Sequence, residues 1–452
     1  MNGTMAKLGC VICQLCRRED GHHLCLLHQL VAINLWMMRL LQLHYFLIRS
    51  ALFQNSLLCR FIYKKKYIAS NGCVVNGRSI HSEDVELEKE LATINKPSIK
   101  TIETEYGDIY DCVDVNKQPA FDHPLLKDHK AKTRPSLALE KILRASRKDA
   151  SLLETNPTKL GLEEGCPAGS VPLRRVTKED LRRAKSSFKR LSSFEPSNPG
   201  QGYDFAGIVT TPPANVLFKG IAARMSVYQP PVSSQQSSTA LIQLQTQTET
   251  KVGSIQVGWT IDPELYGDSR ARLFTKWSEE HDGTVDGCYN TLCSGFVVTN
   301  PNIPIDTAFN DVSIAQRSQV FQWMMVTLDP LSQDWWMSMQ DDNIRIGYWP
   351  RELFSFSGFS VGGYNATWGG LVHTGADVSP AMGSGIFEDG NYNSTCNMVK
   401  VQVNIGNTFV SPYDNPVQVL QSRCFKASKQ NTHPDYRFQF GGPGGLPNAC
   451  VA

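Results

Sequence analysis

The feature that most constrains this chain of 452 residues is a repeated alternation of apolar and polar residues in its C-terminal part. The runs 241–249 (LIQLQTQTE) and 399–405 (VKVQVNI) both follow this pattern. A period of two residues is typical of β-strands with one buried and one polar face. Gly, Pro and Asn residues separate such runs, so we predict an all-β antiparallel sandwich over residues 202–452.

A different pattern precedes this region. Residues 86–91 (ELEKEL) have a helical pattern, which Pro97 ends because proline lacks a backbone donor. Residues 99–106 (IKTIETEY) alternate as a strand does, and residues 181–189 form a basic helical stretch. We therefore predict a smaller α+β segment over residues 85–190, ahead of the sandwich.

Charge is divided unevenly along the chain. Residues 1–200 hold 31 Lys and Arg against 22 Asp and Glu, whereas residues 201–452 hold 14 against 21. A basic front half can dock on an acidic back half within one molecule, and two solvated surfaces of different charge are the alternative. The net charge is only +2, and we expect no nucleic-acid partner.

The first 80 residues match no targeting class. Residues 24–63 are apolar, but polar residues interrupt them before the run of about 20 apolar residues that a spanning helix needs. Cys10, Cys13 and Cys16 have the residue type of a zinc site, yet their spacing fits no standard finger, so we expect no metal or cofactor. We interpret residues 1–80 as an atypical leader or a wrongly assigned N-terminus, without a firm membrane anchor.

Four of the thirteen cysteines are expected to form disulfides in the C-terminal part. Cys288 and Cys293 flank a turn-like run that is short enough to close as a small loop. Cys424 and Cys450 are the next expected pair. An odd total leaves at least one thiol unpaired.

Two glycosylation sequons, at Asn365 and Asn393, accompany these expected disulfides. Both features are typical of the secretory pathway. We therefore expect an extracellular protein.

Several runs resemble the neprosin family of plant proteins. They are 106–112 (YGDIYDC) and 119–124 (PAFDHP) in the front part, and 254–268 (SIQVGWTIDPELYGD), 343–354 (NIRIGYWPRELF), 368–372 (WGGLV) and 382–385 (MGSG) further on. The first two are similar to the family's activation peptide and the others to its catalytic domain. The resemblance implies a sandwich of two bent sheets of the concanavalin type, preceded by an inhibitory pro-segment.

Active members of the family resemble glutamic peptidases that cleave after proline under acid conditions. Such chemistry needs one ionised and one protonated carboxyl group close together. The resemblance places this pair where the chain has Gln256 and Leu371. Glutamine can still hydrogen-bond an oxyanion, but leucine can neither accept nor donate a proton. His373 shares a face with Leu371 by alternation and is the best substitute base, the alternative being a histidine with no chemical role.

Two functions of different classes remain open. The first is a secreted neprosin-type endopeptidase that acts on proline-containing peptides or proteins, with activity impaired or absent because of Gln256 and Leu371. Its intramolecular partner is the pro-segment. The second is a non-catalytic extracellular sandwich whose concave sheet binds a peptide or a glycan.

Overall fold

The computed structural model describes residues 80–148, 156–157, 160–190, 196, 202–247, 251–339, 344–375, 378–412, 417–428 and 436–446. Nearly all of the predicted leader, including Cys10, Cys13 and Cys16, lies outside these residues, as does Cys450. No helix in the described ranges is long and apolar enough to cross a membrane.

Residues 80–190, which we name the front segment, combine helices with a small antiparallel sheet. The helices are α1 (Ile80–Ile94), α2 (Leu137–Lys148) and α3 (Lys178–Arg190), and the strands are β1 (Lys100–Glu103), β2 (Ile109–Asp114), β3 (Asn156–Pro157) and β4 (Ser170–Arg174). The sheet has the order β1-β2-β4. Helix α1 ends at Ile94, shortly before Pro97, as the sequence predicts.

The remaining strands build the sandwich. They are β5 (Tyr203–Thr210), β6 (Gly220–Ser226), β7 (Ser237–Gln247), β8 (Lys251–Ile261), β9 (Arg272–His281), β10 (Thr284–Tyr289), β11 (Val297–Val298), β12 (Val320–Leu328), β13 (Trp335–Met339), β14 (Ile344–Trp349), β15 (Asn365–His373), β16 (Cys396–Ile405), β17 (Thr408–Val410), β18 (Val417–Leu420), β19 (Lys426–Ala427) and β20 (Phe438–Gly441). A short helix, α4 (Pro263–Tyr266), follows β8.

These strands form two sheets. The first, which we name the cleft sheet, has the order β10-β9-β8-β7-β15-β5-β18. The second, the back sheet, has the order β11-β14-β13-β12-β6-β16-β20-β19, with β17 on β16 and β3 on β12. The predicted fold class, an antiparallel β-sandwich preceded by a smaller α+β segment, is confirmed.

The core between the sheets is aromatic and aliphatic. Alternation along β8 directs Ile255, Val257 and Trp259 into this core, where each is at most 1% exposed. The indole Nε1 of Trp259 donates to the backbone carbonyl of Ser226 on the back sheet, at 2.9 Å. The opposite side chains of β8 therefore face away from the core.

The front segment covers the outer faces of both sheets. Leu87 of α1 and Leu181 of α3 pack in one apolar cluster with residues of the cleft sheet, whereas Leu139 of α2 packs on the back sheet. Basic α3 pairs with acidic α1, as in the contact of Arg182 with Asp84 at 2.6 Å. These charges are therefore matched within the front segment itself.

Candidate functional site

A closed cleft lies between the outer face of the cleft sheet and α3. Gln256 and Leu371 both line it, together with Thr239 of β7, Thr260 of β8 and Ser187 of α3. Its free volume is about 20 Å³. A cavity of that size holds about one water molecule, so the cleft has no room for a peptide while α3 is in place.

The strand register shows how far apart Leu371 and Gln256 lie on the cleft sheet. Leu371 pairs with Thr239 across β15 and β7, while Gln256 pairs with Gln243 across β8 and β7. Since Thr239 and Gln243 are four positions apart on β7, one row of side chains separates the two on this face. Gly369 belongs to that middle row.

Gly369 allows an aromatic ring to lie across the middle row. A Cβ atom added there would approach Cζ of Phe205 to 2.8 Å and the carbonyl oxygen of Ala206 to 2.4 Å. Both distances are too short for any side chain, so this position of the WGGLV run requires glycine.

Leu371 is embedded in hydrocarbon. It is 3% exposed and belongs to the apolar cluster that contains Leu241, Phe274 and, from α3, Leu181. The side chain at position 371 therefore excludes water from its immediate surroundings and cannot itself move a proton.

Gln256 begins a chain of amide hydrogen bonds. Its Nε2 donates to Oε1 of Gln243 at 2.7 Å, and Gln243 donates in turn to Gln245 at 2.6 Å. Oε1 of Gln256 is buried and has no hydrogen-bond partner among the described residues. The amide thus presents an unsatisfied acceptor at the cleft.

His373 also lines the cleft, at the edge away from Gln256. Its Nδ1 lies 3.0 Å from the backbone carbonyl oxygen of Gln235, and its ring packs on Tyr203 with centroids 4.6 Å apart. A carbonyl oxygen can only accept, so Nδ1 carries the proton and Nε2 is the basic nitrogen of the neutral ring.

Two carboxylates at the rim of the cleft were not part of the predicted site. Asp262 accepts from the backbone N–H of Leu265 at 3.0 Å and so caps α4, whereas Glu264 accepts from the Ser186 hydroxyl of α3 at 3.2 Å. The run Asp-Pro-Glu after β8 is a helix-start signal that could have located them.

Lys276 was likewise not part of the site predicted from the sequence. It pairs with Gln256 across β9 and β8 and is 2% exposed. Its Nζ lies 5.5 Å from the ring centroid of Phe188 in α3 and 5.7 Å from that of Tyr289. Burial lowers the pKa of this amine to about 7, because the charged form loses hydration. Alternation along residues 272–277 could have placed it on the Gln256 face.

An ionic network joins the front sheet to the sandwich. Arg272 of β9 makes two hydrogen bonds to Asp108, at 2.9 and 3.1 Å, and it is 1% exposed. Beside it, the Tyr110 hydroxyl donates to Asp306 at 3.3 Å. Burial raises the pKa of Asp306 to about 7 despite the nearby arginines. Buried ion pairs of this kind specify how two parts of a chain pack together more than they add to the stability of that packing.

Two disulfides are present in the described chain. Cys288 pairs with Cys293, as expected, and Cys112 pairs with Cys166 inside the front segment. Cys424 is disulfide-bonded, and its predicted partner, Cys450, lies outside the described residues. Among the described residues no group of three or more His, Cys, Asp or Glu side chains could hold a metal ion.

The comparisons with known proteins bear on both parts of the chain. The neprosin family model matches residues 234–443, and the neprosin activation peptide model matches residues 101–203. A crystal structure of scytalido-glutamic peptidase with a peptide-based transition-state analog is 14% identical, with a TM-score of 0.27 over 52% of this chain and 96% of that one. A structure of SCP-B, an eqolisin-family peptidase in complex with the tripeptide Ala-Ile-His, is 13% identical, with a TM-score of 0.25 over 52% and 96%.

At these TM-scores the two structural likenesses carry no conclusion about activity. The two family models, in contrast, together cover more than half of the chain and occur in the order expected for an activation peptide and the domain that follows it. The chain therefore belongs to the neprosin family.

Proposed function

We propose that this protein is a neprosin-type peptidase relative whose cleft binds a proline-containing peptide but hydrolyses it weakly or not at all. The observation that carries the proposal is the side chain at position 371. A leucine lines the cleft where the family resemblance implies a carboxyl group, and it is packed among other hydrocarbons.

Peptide hydrolysis by this chemistry requires a base for water and an acid for the leaving amine. Gln256 supplies neither, although its amide can hydrogen-bond a peptide. The rim carboxylates of Asp262 and Glu264 are engaged with α4 and α3, respectively. The described cleft thus favours binding over turnover.

The front segment is the proposed intramolecular inhibitor. Helix α3 closes the cleft with Ser187 and packs Leu181 into the cluster around Leu371. A peptide that binds the cleft must displace α3, so we expect the intact chain to be latent.

One observation supports a second candidate function, which is weak peptidase activity. His373 lines the same cleft as Gln256, and the carbonyl of Gln235 orients the ring so that Nε2 can act as a base. A glycan is the alternative ligand for a non-catalytic cleft, since Phe274 and Tyr289 offer aromatic faces.

We infer an extracellular location from the disulfides and the sequons. Asn393 is exposed, as a glycosylation acceptor must be, whereas Asn365 is half-buried at the start of β15. Cys112–Cys166 and Cys288–Cys293 require an oxidising compartment to form and persist.

The test is incubation of the purified, acid-treated protein with a proline-containing peptide and with a matched peptide that has alanine in place of proline. We expect fluorescence anisotropy to report binding of the proline peptide and mass spectrometry to find it intact. Cleavage after proline would overturn the binding-only proposal, and loss of that cleavage in His373→Ala would assign it to the second candidate.

A further inference from the structure

Apart from the cleft, a cavity of about 500 Å³ lies between the front segment and the edge of the back sheet. We name it the arginine cavity, because Arg134 and Arg144 line it from the front segment and Arg345 lines it from the start of β14. Thr299, which follows β11, also belongs to its walls. Both parts of the chain supply these walls, so the cavity exists only while the front segment is docked.

The walls of the arginine cavity carry an excess of positive charge. Among its described lining residues Glu140 of α2 is the one acidic residue, against three arginines. The Oε1 atom of Glu140 accepts from Nη2 of Arg345 at 3.3 Å, and its Oε2 lies 3.7 Å from Nη2 of Arg144. Three positive charges less one negative charge leave +2 on the lining residues. A charge of this size favours an anionic ligand.

Two lining residues also have polar atoms without partners. Nε of Arg345 and Oγ1 of Thr299 are both buried, and neither has a hydrogen-bond partner in the described part of the chain. A buried polar atom of this kind is unfavourable unless a ligand or water completes its hydrogen bonds. The guanidinium can only donate and the hydroxyl can donate or accept, so the oxygen atoms of a ligand would satisfy both.

The backbone beside the cavity is already paired. The N–H groups of Thr299 and Asn300 both donate to the carbonyl of Ile346, at 2.9 and 3.2 Å, and the side-chain amide of Asn300 donates to the carbonyl of Arg345 at 2.9 Å. An extended peptide binds a sheet edge mainly through free backbone groups. The arginine cavity instead offers side-chain donors, which suit the hydroxyl and acidic groups of a sugar.

We propose that the arginine cavity binds an acidic saccharide, whose carboxylate or sulfate group pairs with the arginines. Guanidinium groups form bidentate hydrogen bonds with such planar or multi-oxygen anions. The cavity volume falls in the range of about 300–1,000 Å³ that is common for small organic ligands and exceeds what one inorganic ion needs. The proposal goes beyond the proposed function, because it involves neither the cleft nor a peptide ligand.

A ligand in this cavity would contact the front segment and the sandwich at the same time. Any ligand that binds only the docked form stabilises that form as the ligand concentration rises. We therefore expect the saccharide to hold the front segment on the sandwich.

The experiment is isothermal titration calorimetry of the full chain at low ionic strength. The probes are trigalacturonic acid, sulfated maltotriose, neutral maltotriose, a triglutamate peptide and inorganic sulfate. We expect at least one acidic sugar to bind about tenfold more tightly than each of the other three probes, as charge-assisted hydrogen bonds in a shaped site allow. The same sugar should raise the midpoint of thermal unfolding, and the two acidic sugars distinguish carboxylate from sulfate.

A matched pair of double variants locates the binding. Arg134→Gln with Arg144→Gln should weaken binding of the acidic sugar about tenfold, because it removes the charge-assisted hydrogen bonds. Lys130→Gln with Lys141→Gln removes the same charge from exposed side chains that do not line the cavity, and it should change the affinity much less. All four side chains are exposed, so both variants should fold.

A further variant tests the sign of the ligand charge. Asp341 and Asp342 precede Ile344 in the sequence. Replacing both by asparagine removes repulsion of an anion, so we expect the acidic sugar to bind at least as tightly as it binds the parent. Weaker binding would overturn the proposal of an anionic ligand.

The other contradicting results are equally specific. Equal losses in the two double variants would mean attraction to a basic surface in general and would overturn the site. Triglutamate or inorganic sulfate that binds as tightly as the acidic sugars would overturn the saccharide as ligand. No binding of any probe would overturn the proposal entirely. Each of these results leaves the proposed function of the cleft standing.

Discussion

At the scale of single residues, the leucine at position 371 has a double effect. Under the proposed function it stands in place of a proton-transferring group, and it gives α3 an apolar partner in the cluster around Leu181. Under that proposal, the side chain that disfavours turnover also favours closure of the cleft. Gln256 and Lys276 share one row of the cleft sheet, two rows along from Leu371, and keep that end of the same face polar.

Lys276 leads to a prediction about pH. Its pKa falls from 10.5 to about 7 on burial, so the folded chain binds this proton less readily than the unfolded chain does. The contribution of Lys276 to stability is fully present above the unfolded pKa and is lost as the pH falls through the folded pKa. Lys276→Met removes the charge, and we expect this variant to be more stable than the parent at about pH 6 and to lose the advantage as the pH approaches 10.

Urea unfolding followed by tryptophan fluorescence at several pH values measures this difference. Lys276→Arg is the matched control, because it keeps the charge and cannot lose its proton in this range. A constant difference between Lys276→Met and the parent across the range would show that the amine is not held in a dry environment.

At the scale of elements, the docking of α3 depends on its apolar face more than on its ion pairs. Leu181 is 1% exposed, whereas the Arg182–Asp84 pair leaves 45% of each side chain exposed. Exposed ion pairs contribute little because water screens both charges. The basic composition of this helix, which is prominent in the sequence, is thus a poor guide to what holds it in place.

A matched pair of variants tests whether apolar burial contributes more to the docking of α3 than its ion pairs do. Leu181→Ala should lower the free energy of unfolding by about 2–5 kcal/mol, since it leaves a cavity under α3. Arg182→Ala should lower it by less than about 1 kcal/mol. Both are measured by urea denaturation of the full chain, and equal losses would mean that charge, not burial, fixes the helix.

The two disulfides should differ in the same type of measurement. Cys112 and Cys166 are 54 positions apart, while Cys288 and Cys293 are 5 apart. A longer loop constrains the unfolded chain more, so replacing the first pair by alanines should cost about 4 kcal/mol and the second about 2 kcal/mol. A larger loss from the short loop would show that this disulfide stabilises the folded structure directly rather than by restricting the unfolded chain.

At the scale of the whole molecule, the front segment packs on both outer faces of the sandwich, through Leu181 on the cleft sheet and Leu139 on the back sheet. Alternation in the sequence was sufficient to predict the sandwich, and it also predicts that Gln256 lies opposite the core residues of β8. Alternation does not predict the order of the strands, because pairs such as β15 and β7 join segments that are far apart in the sequence.

The same limit applies to contacts between the two parts of the chain. Arg272 and Asp108 are 164 positions apart, and no local pattern indicates that they form a buried pair. Phe188 reaches Lys276 only because α3 folds back over the cleft sheet. Periodicity identifies which face of a strand is buried, whereas only the tertiary structure shows what covers it.

The central claim is that positions 256 and 371 correspond to the two positions where active family members are expected to carry the catalytic carboxyl groups. Its most direct test is the rate of cleavage after proline by the acid-treated double variant Gln256→Glu with Leu371→Glu. We expect a gain of about 10²–10⁴-fold over the parent, which is the contribution of a positioned acid or base. The control, Gln256→Glu with Leu371→Gln, introduces an amide of similar size that transfers no proton, and it should show no such gain. A folded double variant without any gain would contradict the claim.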